Sequence, residues 1–157
     1  IQSLHDAGAA IRIADLDSSR TQPWLLFPNI HCDSPETILT SDVDLLAPCA
    51  IGGVVNSELL SKLRTTMICG AANNLLSAPG VGSQLIKAGI VIVPDFVASA
   101  GAVVDGIGES VMGLEDRTAL IDGLGETAKR ILDEAQQTKR CPYVVGQEFA
   151  LQRISHG

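Results

Sequence analysis

Short runs of aliphatic and β-branched residues alternate with longer helical segments along the 157-residue chain. That alternation restricts the fold more than any other feature. Residues 11–15, 44–47, 66–70 and 90–93 read as strands bounded by Asp, Pro or Gly. Their apolar character is continuous, so both faces of the sheet are expected to be covered. Parallel strands need crossover segments between them, and helices fill that role. Helix starts are read at Ser34-Pro35-Glu36, a cap residue followed by proline, and at Asn56-Ser57-Glu58. Residues 80–88, 95–112 and 147–154 also read as helical. Residues 116–138 read as one long amphipathic helix, with Leu120, Leu124, Ala128, Ile131, Leu132 and Ala135 at helical spacing. Pro142 punctuates the chain between that helix and the last one.

The expected fold is therefore α/β, a Rossmann-like parallel sheet with crossover helices. Residues 1–7 read as the end of a helix with Gly8 as its C-terminal cap. A first strand and its glycine-rich turn are expected to precede them and are missing from this chain. Residues 1–157 are read as one dinucleotide-binding domain, N-terminally incomplete, with C-terminal helices.

Composition narrows the partners. Hydrophobic residues are 46% of the chain but aromatic residues only 3%, so the core must be small and aliphatic. The formal net charge of -7 repels phosphate backbones and anionic lipid, so neither nucleic acid nor a membrane is expected as a partner. Cys32, Cys49, Cys69 and Cys141 form no Cys-x-x-Cys pair and no zinc pattern. They read as reduced, mostly buried thiols of a cytoplasmic protein, and no metal site is expected. His5, His31 and His156 read as surface or cap histidines. Asp105, Glu109, Glu115 and Asp116 read as helix faces and a helix start rather than an acid pair.

In an open parallel sheet, ligands bind outside the carboxyl ends of the strands. Here the first strand ends at Asp15. The second runs into Pro48-Cys49-Ala50-Ile51-Gly52-Gly53, the third into Gly70-Ala71-Ala72-Asn73-Asn74. The fourth runs into Pro94-Asp95 and then Ser99-Ala100-Gly101. Small residues and short polar groups at every end suit a flat cofactor that needs close backbone approach and a few fixed hydrogen bonds. A carboxylate ending such a strand accepts hydrogen bonds from the adenosine ribose hydroxyls of a dinucleotide. The competing reading of Asp15 is a turn cap shared with Asp17 and Ser18.

These segments resemble a known family. Residues 47–56, Ala-Pro-Cys-Ala-Ile-Gly-Gly-Val-Val-Asn, are very similar to a segment of leucine and phenylalanine dehydrogenases. Gly70-Ala71-Ala72-Asn73-Asn74 is similar to their Gly-Ser-Ala-Asn-Asn. Pro94-Asp95-Phe96-Val97-Ala98-Ser99-Ala100-Gly101 is similar to their Pro-Asp-(aromatic)-Val-x-Asn-Ala-Gly, and residues 149–154 resemble their closing helix. The Pro-Cys-Ala form of the first segment points to the branched-chain and aromatic amino-acid branch rather than to glutamate dehydrogenases.

The resemblance implies roles. Asp15 would hold the adenosine ribose, with NAD preferred over NADP, although Ser18-Ser19-Arg20 is a counter-signal for a 2'-phosphate. Cys49 and Ala50 would line the nicotinamide ribose through backbone and van der Waals contact. Nothing near Cys49 in sequence activates a thiolate, so packing is preferred to a nucleophilic role. Asn73 would hydrogen-bond the nicotinamide ribose, with a helix cap as the competing reading. Ser99 stands where the family carries the Asn that touches the nicotinamide amide, or else bonds back to a helix carbonyl. Ala102 replaces a second glycine and adds a methyl near the cofactor.

The family's catalytic Lys and Asp belong to a preceding substrate domain, so no catalytic residue is assigned in this chain. The implied reaction is reversible oxidative deamination of an apolar L-amino acid to a 2-oxo acid. The chain alone is expected to be inactive, and a homo-oligomer through that preceding domain is left open. The alternatives are a non-catalytic nucleotide-binding or regulatory domain, a branch serving a specialised amino acid, or a segment of an ordinary, longer enzyme.

Overall fold

The computed structural model describes residues 1–156. The chain forms two compact units, Ile1–Asp42 and the remainder from Val43 onward.

In the first unit, helix α1 (Gln2–Asp6) leads into strand β1 (Ile11–Ile13), which pairs in parallel with β2 (Ile30–Cys32). Gly8 reverses the chain at φ +82°, and the amide of Ala9 donates to the Leu4 carbonyl, so the expected C-terminal cap is formed. Ile11, Ile13 and Ile30 form the core, with Ala9, Trp24 and Phe27 against it. The β2 strand has no β-branched run to announce it. Parallel pairing with β1 and burial of Ile30 create it. Arg12 on β1 makes a bidentate bond to Asp33 just beyond β2, Nε at 2.7 Å and Nη2 at 2.9 Å. That bond holds the Asp33 carboxyl below the usual carboxylate range.

The helix expected to start at Ser34-Pro35-Glu36 is absent. A turn is followed only by a short 3₁₀ segment at Ile38–Thr40. The hydroxyl of Thr37 donates to the Ser34 carbonyl, and that of Thr40 to the Thr37 carbonyl. These local bonds compete with helix formation in a β-branched run.

In the second unit, β3 (Leu45–Leu46), β4 (Met67–Ile68) and β5 (Val91–Ile92) form a parallel sheet in that order. Helix α2 (Ser57–Leu60) crosses from β3 to β4, and α3 (Pro79–Lys87) from β4 to β5. Asn56 caps α2 by accepting the Leu59 amide hydrogen at 2.8 Å, but that helix is one turn long. Leu46, Ile68 and Ile92 are register partners and form a buried row. Leu45, Met67 and Val91 form the neighbouring row, which points to the opposite face. There the expectation of two covered faces fails: Leu45 is 38% exposed and Val91 40%. The strands are only two residues long, and a cavity of about 620 Å³ lies beside Met67 and Val91, bounded by Leu132 and Ala135. It sits at the amino ends of the strands, away from the loops at their carboxyl ends.

After β5 come α4 (Asp95–Ala98), α5 (Ala100–Met112), α6 (Thr118–Asp122), α7 (Leu124–Thr138) and α8 (Pro142–His156). The single helix expected over 116–138 is divided at Gly123. Its amide closes α6 on Ala119, and its carbonyl receives Thr127 at the start of α7. The last helix is longer than expected and has Pro142 as its first residue, where a missing N–H costs nothing. Ile131 and Ala135 of α7 pack with Val97 of α4 and Val145 of α8. Three of the four acidic residues stand as expected, while Glu115 lies in the bend between α5 and α6. Asp105 and Glu109 flank Arg117, each at 3.8 Å, and Asp116 accepts the Thr118 amide hydrogen at the start of α6. Among the described residues no helix is long and apolar enough to cross a membrane. The side chain of His156 lies outside the described residues.

Candidate functional site

The loops past β3 and β4 are tied together by backbone contacts that leave no room for larger residues. Past β4, Gly70 is buried, and a Cβ placed on it would run into the backbone of Pro48. The Ala72 amide donates to the Pro48 carbonyl at 3.2 Å. Past β3, a Cβ on Gly52 would run into the Asn73 carbonyl. Gly53 takes φ +71° and donates its amide hydrogen to the Asn74 carbonyl at 2.7 Å. Val55 and Leu75 continue the pairing through the bond from the Val55 amide to the Leu75 carbonyl at 3.1 Å. The small residues noted in the sequence are thus required by loop-to-loop contact.

This lacing sets the environment of four predicted residues. Cys49 and Ala50 are exposed on the loop after β3, and Asn73 is exposed on the loop after β4. The cap reading of Asn73 is not realised, because the next helix begins at Pro79 with Ala78 before it. Asn74 is left-handed at φ +54°. Its amide donates to the carboxylate of Asp95, which is buried just beyond β5. A buried carboxylate needs such partners to offset its lost hydration. Ser99 lies half-buried between α4 and α5, and its hydroxyl donates to the Asp95 carbonyl at 2.7 Å. The bond back into the helix is therefore made.

The loop after β3, the loop after β4 and the α4–α5 junction are brought together through Asp95, which in the sequence is visible only as part of a motif. The usable signal is an acid directly after an apolar strand and a proline. Tyr143 carries no such signal. Its hydroxyl stands 3.4 Å from the Asp95 amide nitrogen, and its ring meets Phe96 edge-on with centroids 5.8 Å apart. Burial first, then hydrogen bonding with Asp95, pushes the Tyr143 pKa up.

The cysteines depart from expectation. Cys32 and Cys49 are exposed, Cys69 and Cys141 half-buried, and all four are free. Burial, and secondarily Cys49, raise the Cys69 pKa, so this thiol is no ready nucleophile. Among the described residues no group of His, Cys, Asp and Glu could hold a metal ion.

Asp15 belongs to the first unit. One of its oxygens accepts the Asp17 amide hydrogen at 2.9 Å, and the other lies 3.9 Å from Arg20. Asp17 in turn accepts from both the amide and the hydroxyl of Ser19, at 3.0 and 2.6 Å, and lies 3.7 Å from Arg20. The turn-cap arrangement is formed. Within the Ser18-Ser19-Arg20 segment, Ser19 gives its amide and hydroxyl hydrogens to Asp17, and Arg20 lies beside both carboxylates.

A family model described as glutamate/leucine/phenylalanine/valine dehydrogenase matches residues 26–116. The chain is 30% identical to leucine dehydrogenase of Bacillus subtilis over 153 residues, 96% of this chain and 42% of that protein. It is 34% identical to valine dehydrogenase of Streptomyces albus over 125 residues, 78% of this chain and 34% of that one. The crystal structure of L-tryptophan dehydrogenase from Nostoc punctiforme superimposes with a TM-score of 0.89 at 26% identity, over 99% of this chain and 47% of that one. The chain thus spans less than half the length of these relatives. With the model matched over more than half of its residues and the strand-end loops laced together, the chain belongs to the glutamate/leucine/phenylalanine/valine dehydrogenase family.

Proposed function

We propose that this chain is the cofactor-binding portion of an NAD-dependent amino-acid dehydrogenase that interconverts an apolar L-amino acid and its 2-oxo acid. One observation carries the reading. The loops after β3 and β4, rich in glycine, alanine and asparagine, touch through their backbones, and Asp95 just past β5 bonds to the second of them, with Cys49, Ala50 and Asn73 left exposed beside them. That fits a cofactor demanding close backbone approach. The relatives' names, leucine, valine and L-tryptophan dehydrogenase, support the substrate class.

In this reading Cys49 and Ala50 line the nicotinamide ribose, and the Asn73 side chain hydrogen-bonds it. Ser99 stands at the nicotinamide end. With its hydrogen already given to Asp95, only its lone pairs remain for the carboxamide, a weaker grip than an Asn gives. In the first unit Asp15 accepts from the adenosine ribose hydroxyls. Asp15 and Asp17 repel a 2'-phosphate, and Arg20 is already engaged by both. The nicotinamide, when bound, accepts the hydride; this chain's residues orient it and exclude water. The substrate pocket, the pyrophosphate turn and the catalytic acid and base are assigned to the rest of the polypeptide, as is homo-oligomer formation. A cytoplasmic setting goes with the free thiols.

The weakened contact at Ser99 favours a second reading, a non-catalytic nucleotide-binding or regulatory domain descended from the same family. Assay of the intact protein separates the two. Reduction of NAD dependent on leucine, valine, tryptophan or phenylalanine supports the enzyme, with none from the 157-residue chain alone. NAD binding without turnover by the intact protein supports the regulatory domain.

A further inference from the structure

The loop after β4, the α4–α5 junction and α8 meet at Asp95, the first through its buried carboxylate and the other two through its backbone. The Asp95 side chain accepts the Asn74 amide hydrogen. Its carbonyl accepts the amide and hydroxyl of Ser99, both at 2.7 Å, and its own amide faces the Tyr143 hydroxyl. Helix α8 is keyed to the same spot, because Gly146 sits so close over Phe96 that a Cβ would stand 2.9 Å from its ring. Asn74 needs such a fixture. Asn tolerates positive φ better than most residues with a Cβ but also takes extended conformations, and the bond to Asp95 selects the left-handed one. Gly53 then bonds to the Asn74 carbonyl, so the loop after β3 inherits the setting.

We propose that Asp95, backed by Tyr143, is a positioning residue of the cofactor site. It locks Asn74 in the left-handed conformation and thereby aims the neighbouring Asn73 side chain at the nicotinamide ribose. The inference rests on the cofactor reading under Proposed function. Asp95 touches no cofactor itself; it acts through Asn74. Helix α8, remote in sequence, becomes part of the site's framework through Tyr143 and Gly146.

The test is calorimetric titration of the intact enzyme with NAD and, separately, with ADP, which lacks both the nicotinamide and its ribose. The contact at stake is the neutral Asn73 hydrogen bond to the ribose, worth a few-fold to about tenfold in affinity. Asp95→Ala is expected to weaken NAD by a few-fold to about tenfold and to leave ADP binding unchanged. Adding Asn74→Gly to that variant should restore most of the NAD affinity, because glycine takes positive φ without a lock. A residue that only filled space would not be rescued at Asn74. If Asp95→Ala does not fold, Asp95→Asn keeps one acceptor oxygen and should show a smaller NAD loss with ADP unchanged. Unchanged NAD binding, equal loss of both ligands, or no rescue overturns the proposal. Absence of binding of either ligand by the unaltered enzyme overturns the cofactor reading itself, which is a different result.

Discussion

The Asn74 amide and the buried Asp95 carboxylate are hydrogen-bonded across two successive strand ends, with Asn74 held at φ +54°. Stability should register this directly. Asn74→Val places a β-branched side chain in the left-handed region and is expected to cost about 1–2 kcal/mol. Asn74→Gly should be within about 0.5 kcal/mol of the parent. Urea denaturation of the three proteins checks the order, and a neutral Val variant would contradict it.

Two glycines should respond in opposite directions. Gly70→Ala pushes a methyl into the Pro48 backbone, which cannot swing aside, and should destabilise by about 1–3 kcal/mol. Gly106 lies inside α5 with nothing near its absent Cβ, so Gly106→Ala should stabilise by about 0.5–1 kcal/mol. Thermal melts read both.

Tyr143 is the chain's one tyrosine, so phenolate absorbance reports on it alone. Its folded pKa lies above the ordinary value of about 10, so the folded chain keeps a proton that the unfolded chain gives up. The stability this contributes is fully present below about pH 10 and declines as pH rises further. Phenolate should appear together with unfolding rather than before it, and Tyr143→Phe should move the alkaline unfolding upward. A phenolate titration at the ordinary value in folded protein would contradict the burial.

Much of this is legible in the sequence because it depends on local pattern. The β1, β3, β4 and β5 strands announce themselves by aliphatic runs, and Gly8 by its place after a helical segment. The β2 strand is not legible, since Ile30 is made a strand by β1 rather than by its neighbours in sequence. The failed helix at Ser34 shows hydroxyl side chains overruling a cap-and-proline signal. At the site, the small residues are visible but their cause is not. That Gly52 and Gly70 press on other loops, and that Asp95 and Tyr143 meet across 48 positions, are facts of tertiary contact. The roles given to Asp15, Cys49, Ala50, Asn73 and Ser99 remain proposals that ligand titrations decide.

Cofactor choice tests Asp15. The intact enzyme should bind NAD more tightly than NADP, and Asp15→Ser should narrow the gap by removing one of the two carboxylates beside Arg20. A parent enzyme that prefers NADP would contradict the assignment.

Ser99→Asn supplies the amide that the family resemblance implies at this position. One neutral hydrogen bond is worth about 0.5–1.5 kcal/mol, so NAD should bind a few-fold to about tenfold more tightly, with ADP-ribose unaffected. Equal tightening of both ligands would place Ser99 away from the nicotinamide.

The central claim is that these laced strand ends receive a dinucleotide, and amide hydrogen exchange of the intact enzyme with and without NAD addresses it most directly. The account predicts NAD-dependent slowing in residues 47–53, 70–74 and 95–101, and little change at the amino ends of β4 and β5. Protection confined to those amino ends beside Met67 and Val91, or no protection anywhere at saturating NAD, would contradict it.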